Sequence, residues 1–186
     1  MPNYCYYSMC VKGSKKNVEE FIKVMQADYN YSEKHFTFDR HMFRVFSADA
    51  DEVERDKGNV YSTVINGDCA WSVSTCMFEG NYYNSLKERY PDEFRGTTLL
   101  RESKTLNLSI EVYSEESGCC FQEHYVIING DLIVDECVNW EEYSVDEYDT
   151  KEEAERELDL TITDEEWENN EGYISRGGFE NWDFEI

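Results

Sequence analysis

Apolar and polar positions alternate over residues 3–11, with Cys5, Tyr7, Met9 and Val11 on one side and Tyr4, Tyr6, Ser8 and Cys10 on the other. A period of two predicts an extended strand, and apolar character on both sides predicts a central one. Gly13 ends it, and Ser14 is placed to cap a helix. Val18, Phe21, Ile22 and Met25 then recur at helical spacing to about residue 28. Residues 29–40 read as a polar-aromatic connection, 41–46 as a short strand and 48–59 as a charged surface loop. Residues 60–65 are β-branched and aromatic, Asn66-Gly67-Asp68 has hairpin-turn composition, and residues 69–78 predict the returning strand.

Tyr82, Tyr83, Leu86 and Tyr90 fall close to helical spacing, and Pro91 stops that helix. Residues 98–104 allow a further helical turn or two. Leu106, Leu108, Ile110 and Val112 share one face of a strand over residues 106–113, and residues 120–128 form the next strand after a Glu-Glu-Ser-Gly turn. Asn129-Gly130 is a second hairpin signal, with residues 131–138 returning. Beyond it, Thr150 with Glu153 and Thr163 with Glu166 have the spacing of capping boxes, each opening a helix with a thin apolar stripe. The aromatic tail, with Tyr173, Phe179, Trp182 and Phe184, is expected to dock back on the body.

Strand, helix, strands, helices, strands and acidic helices in that order predict an α+β fold with an antiparallel sheet covered by helices on one face. The opening elements suit a split β-α-β, ferredoxin-like arrangement. The expected organisation is one compact domain, with residues 1–138 as the ferredoxin-like core and 139–186 as an acidic helical extension packed on it.

Charge changes this picture. The chain has a formal net charge of −24, and residues 135–171 contribute −15 of it through 17 acids against Lys151 and Arg156. Such a field repels phosphate, so direct nucleic-acid or anionic-membrane binding is not expected, whereas a basic partner is. Seven cysteines, no apolar leader and no long apolar run read as a cytoplasmic chain with reduced thiols.

Pro2-Asn3-Tyr4-Cys5, the Gly13 turn and the helix after it resemble a phage- and plasmid-encoded ferredoxin-like family of the YubB type, whose members open with Pro-Asn-Trp-Cys; Tyr4 stands here in place of the Trp. Cys69-Ala70-Trp71-Ser72 is similar to a Trp-centred strand of that family. The resemblance covers about the first half of the chain. It implies a mobile-element origin and a ferredoxin-like core, and carries no catalytic residue over. The whole chain is also similar to small prophage proteins of Gram-positive bacteria, among which anti-defence functions such as anti-CRISPR activity are frequent.

Catalytic patterns are sparse, and no cofactor is expected. Asp92, after Pro91, and Glu102-Ser103-Lys104 fit the Pro-Asp, spacer, Glu-x-Lys form of a metal-dependent nuclease, where two carboxylates hold the metal and the lysine orients water. That chemistry needs Glu102 and Lys104 on one face of a strand. Cys119, Cys120, Glu123 and His124 cluster after a turn, but acidic neighbours would raise a thiol pKa rather than activate it. Cysteine spacings do not match a zinc chelate.

The acidic stretch carries the strongest signal. Residues 150–171 hold ten acids in 22 positions, one carboxylate per roughly 3.3 Å at a helical rise of about 1.5 Å. A DNA strand carries one phosphate per about 3.4 Å. The expectation is a non-enzymatic inhibitor from a phage or mobile element that mimics DNA and occupies the basic channel of a defence protein such as a CRISPR effector nuclease. Glu141, Glu142, Asp146, Glu147, Asp149, Glu152, Glu153, Glu155, Asp159, Asp164, Glu165 and Glu168 would meet lysines and arginines. Trp140, Tyr143, Tyr148 and Trp167 would serve as apolar anchors. The alternatives are the nuclease and a mobile-element interaction module with no defence role.

Overall fold

The structure is a computed structural model and describes residues 3–186; Pro2 of the opening motif lies outside the described residues. The first strand, β1 (Tyr4–Gly13), and the helix α1 (Lys15–Met25) follow the sequence pattern closely. The Ser14 side chain accepts from the Asn17 amide at the helix start, and Val18, Phe21, Val24 and Met25 form its buried stripe. Short pieces come next: β2 (Tyr29–Asn30), β3 (His35–Phe36) and β4 (His41–Met42). Then β5 (Val45–Ala50), β6 (Glu54–Arg55) and the long β7 (Tyr61–Ala70) complete the first sheet section.

Helices α2 (Ser74–Met77) and α3 (Asn81–Arg89), the two-residue β8 (Gly96–Thr97) and α4 (Leu99–Leu106) lead back to the sheet. Three strands then meander, β9 (Ser109–Glu116), β10 (Phe121–Ile128) and β11 (Asp131–Ser144). The chain ends with α5 (Lys151–Leu158), α6 (Asp164–Asn169), β12 (Tyr173–Gly177) and an extended tail.

The main sheet has the order β12-β11-β10-β9-β1-β7-β5, with β6 also pairing β7, and every pairing in it is antiparallel. The fold is therefore mixed α and β around a large antiparallel sheet. Strand β1 is central, as its two-sided apolar pattern predicts. Both β1 and β5 run antiparallel to β7, so they are parallel to each other with β7 between them, and α1 lies on their crossover. Helices α2 to α4 make the second crossover, from β7 to β9.

One face of the sheet holds the core. Cys5, Tyr7, Met9 and Val11 meet Ile65, Ile110, Val112, Tyr125 and Ile127 in the sheet, and Phe21 and Leu99 in the helices. Each such side chain contributes about 1.5–3 kcal/mol when fully buried. The tail covers part of the opposite face, where Trp182 stacks on Tyr6 at 6.0 Å and on Tyr113 at 5.8 Å. Two tail amides, of Glu185 and Ile186, donate to the buried Glu111 carboxylate at 2.6 and 3.0 Å.

Several local expectations fail: the loop expected over 48–59 holds the end of β5 and all of β6, Leu106 closes α4 rather than opening a strand, and two more fail at β7. Asn66-Gly67 is no turn: β7 runs straight through it, pairing Gly67 with Tyr7 on one side and Ala48 on the other. A Cβ at Gly67 would lie 2.0 Å from the Ser47 carbonyl oxygen and 2.7 Å from the Tyr7 hydroxyl, so glycine permits close strand approach here. The return strand expected over 69–78 is accordingly absent; Trp71 adopts φ +71° and α2 follows. Asn129 and Gly130, by contrast, both have positive φ and close the β10–β11 hairpin as a type I′ turn requires.

Candidate functional site

The acidic segment has a core of its own. Val145, Ala154, Ile162 and Ile174 are buried together, with Tyr148, Leu158, Leu160 and Trp167 packed against them. It forms a unit of the second half of β11, the two helices and β12, tied to the sheet by the β11–β12 pairing from Trp140 opposite Gly177 to Ser144 opposite Tyr173. The boundary expected at residue 138 thus falls inside a continuous strand, β11.

Capping fixes both helices. The Thr150 hydroxyl accepts from the Glu153 amide, and Asp159 ends α5 in a left-handed conformation. At α6 the box is reciprocal: Thr163 accepts from the Glu166 amide while the Glu166 carboxylate accepts from the Thr163 amide at 2.8 Å. Acids in the first turns also suit the positive end of each helix dipole. Arg176 of β12 clamps the unit, donating to the Glu166 carboxylate at 2.7 Å and to the Thr161 carbonyl at 2.7 Å. The Thr163 amide and Arg176 together hold the Glu166 carboxyl below its usual range. Lys151, at the start of α5, donates to Asp164 at the start of α6 and likewise lowers that carboxyl.

Most of the expected contact acids face solvent. Glu141, Glu142, Asp146, Glu147, Asp149, Glu152, Asp159, Asp164, Glu165 and Glu168 are exposed. Glu153 and Glu155 are half-buried, and Glu155 accepts from the Ile162 amide at 2.8 Å, which fixes the turn between the helices. Within this unit Lys151, Arg156 and Arg176 pair with Asp164, Glu157 and Glu166. The remaining acids have no basic partner among the described residues, so the surface is strongly anionic. The helices are separate short elements with a break at Asp159, so the likeness to DNA is one of carboxylate density and not of a single straight row.

Of the expected aromatic anchors, Trp140 is corrected, and Tyr143, Tyr148 and Trp167 are each only half-buried. Trp140 is only 8% exposed and its indole Nε1 is buried without a partner. Tyr148 and Trp167 are half-buried in the second core. Tyr148 and Trp167 thus help to hold the acidic unit together, because a segment with so many charges has few other apolar side chains to build a core from. Sequence spacing gave no sign of Arg176 as the clamp.

The nuclease pattern is dispersed. Asp92 is exposed in the turn after α3, whereas Glu102 and Lys104 stand on helix α4 and not on a strand. Two helical positions apart is about 200° around the axis, so Glu102 is buried while Lys104 is exposed. Glu102 accepts from Arg40 Nε at 3.0 and 3.1 Å and from Thr97 Oγ1 at 2.8 Å. Those bonds make it a structural ion pair.

The Cys119, Cys120, Glu123 and His124 group is divided in the same way, because neighbours on β10 face opposite sides. Glu123 points into the core and accepts from Ser72 Oγ, Tyr125 OH, Ser114 Oγ and the Val73 amide at 2.7–2.9 Å. His124 points to the other face, stacks on Tyr113 at 4.1 Å and bonds Glu111 at 2.9 Å. The Glu116 carboxylate beside Cys119 raises that thiol's pKa, which opposes nucleophilic use.

No helix among the described residues is long and apolar enough to cross a membrane. No protein-family model matches the chain, and neither curated proteins nor solved structures gave a significant match.

Proposed function

We propose that the acidic unit is a binding face for a basic nucleic-acid-binding protein, and that the protein is an inhibitor from a phage or mobile element that excludes DNA by mimicry. The observation that carries this reading is an ordered, capped and clamped pair of helices with its own core, bearing exposed acids mostly free of basic partners. A merely solubilising charge does not require such order; a rigid binding face does, because preorganisation lowers the cost of association. A guide-dependent CRISPR nuclease, with a basic duplex channel and arginines that read a short motif, is the first target to examine. The strand order β9-β1-β7-β5, with helices on both crossovers, supports a ferredoxin-like core.

The test is charge reversal at positions that hold nothing in the fold. Glu142, Glu147, Asp149 and Glu168 are exposed and bond no other side chain. Replacing all four by Lys leaves both caps and the Arg176 clamp intact. Binding to the purified guide-loaded nuclease is expected to be lost while the circular dichroism spectrum is unchanged. Undiminished binding by the folded variant rules out this face as the interface.

A further inference from the structure

A cavity of about 1100 Å³ is built from different elements: the β2–β3 hairpin, the segment through β4, helix α3 and residues 92–95. Its wall is a chain of rings. Tyr29 meets Phe36 edge-on at 5.2 Å, and Phe36 stacks on His41 at 3.7 Å with an interplanar angle of 13°. His41 meets Phe94 at 6.5 Å, Phe94 meets Phe43 at 6.1 Å, and Phe43 meets Tyr82 at 5.9 Å. Burial lowers the His41 pKa, so this ring is neutral near pH 7 and serves as a flat surface rather than a cation.

Arg44 stands at the Tyr82 end, its guanidinium carbon 5.6 Å from the ring centroid. Its Nε is buried with no hydrogen-bond partner, and among the described residues no carboxylate pairs with it. The contrast with Arg40 is informative, since that side chain takes Glu20, Asp39 and Glu102. Arg55, Arg89 and Arg95 also have no carboxylate partner, but among the described residues only Arg44 keeps a buried guanidinium nitrogen without a hydrogen bond. Arg44 also adopts φ +66°, a conformation unfavourable for a residue with a side chain. Strain of this kind collects at ligand sites. Lys34 and Arg95 line the same cavity. Of its acids, Asp39 is taken by Arg40, while Asp92 and Glu93 are exposed at the turn after Pro91.

We propose that this cavity binds a mononucleotide, with the base against the Phe36, His41 and Phe94 rings and the phosphate on Arg44. A flat ring surface takes any base by its π-face, and a guanidinium matches phosphate oxygens in planar, bidentate geometry. Phe43 and Tyr82 stand between those three rings and Arg44, which calls for a ligand with both a flat ring and an anion set apart from it. The protein's net charge of −24 excludes a long polyanion far more strongly than one phosphate monoester, which carries about −2 at neutral pH. This site is independent of the acidic binding face and stands or falls separately from it.

The experiment is calorimetric titration of the full chain with AMP, GMP, CMP and UMP, and then with adenosine, inorganic phosphate and choline. At least one nucleotide is expected to bind more tightly than adenosine and phosphate, and Arg44→Gln to weaken it by about tenfold or more. Tyr82→Ala, at an exposed position beside Arg44, is expected to weaken it several-fold and decides the matter if Arg44→Gln does not fold. No binding of any of the four at millimolar concentration overturns the proposal. So does unchanged affinity in the folded variants, or preferential binding of choline, which would make the rings a cage for a cation.

Discussion

Replacing Glu123 is expected to cost this protein much of its stability. The carboxylate is 3% exposed and accepts four hydrogen bonds, from Ser72 Oγ and Tyr125 OH on one oxygen and from the Val73 amide and Ser114 Oγ on the other. It ties the turn after β7 to strands β9 and β10. In Glu123→Ala the three hydroxyls can turn towards other acceptors, but the Val73 amide cannot. A hydrogen bond to a charged group contributes about 1.5–3 kcal/mol, and an unsatisfied buried donor costs about 1–3 kcal/mol. Allowing for re-pairing and for the relief of a desolvated charge, the net loss is about 3–5 kcal/mol. That is a large share of the roughly 5–15 kcal/mol typical of a domain. Glu123→Gln keeps one oxygen for Val73 and offers donors to hydroxyl oxygens, so its expected loss is about 1–2 kcal/mol. Urea unfolding followed by far-ultraviolet circular dichroism reads both. With a slope of about 2 kcal/mol per molar, the alanine variant should lower the midpoint by about 1.5–2.5 M. An alanine variant within about 0.5 kcal/mol of the parent, below the usual scale of such losses, or less stable glutamine than alanine, refutes the argument.

Other consequences follow from the same geometry. Glu102→Ala leaves Arg40 without its buried partner and is expected to destabilise by about 2–4 kcal/mol in urea unfolding; an unchanged midpoint contradicts the structural ion pair. Native thiol titration is expected to label Cys119, Cys120 and Cys137, and to reach Cys5, Cys10, Cys69 and Cys76 only after unfolding. Because its pKa is raised, Cys119 should react more slowly at neutral pH than an unperturbed thiol. The Asp164 and Glu166 carboxyls are depressed in the fold, so their contribution is complete above the ordinary carboxylate range and is lost as pH falls through their folded values. Amide exchange in α6 should therefore accelerate under acid before the central strands respond; equal acceleration in β1 contradicts this.

The sequence made the start of the fold and its last hairpin legible because local and long-range demands agree there. In β1 the alternation of Cys5, Tyr7, Met9 and Val11 matches the core face, and Ser14 caps the helix that covers it. Asn129-Gly130 turns because nothing competes with its local preference. Asn66-Gly67 has the same composition but is held between two strands, where the missing side chain matters more than backbone freedom. Buried Glu123 was hidden for a related reason, since an acid in an alternating pattern reads as a solvent face, and for both Glu123 and Glu102 some of the donors lie far away in sequence. Ser72 is 51 residues from Glu123, and Arg40 is 62 from Glu102. In the acidic unit the exposed carboxylates were readable from composition and capping. The inward roles of Trp140, Tyr148 and Trp167 were not, since an anchor on a surface and a scarce core residue have the same spacing.

We propose above that this anionic unit competes with DNA for a basic protein channel. The most direct test is an electrophoretic competition between the protein and labelled target DNA for a guide-loaded CRISPR nuclease, at low and high salt. Loss of the nuclease–DNA complex is expected, weaker at high salt because screening reduces attraction between charged surfaces. An undiminished DNA complex at both salt concentrations means that the acidic unit does not compete with DNA on this target.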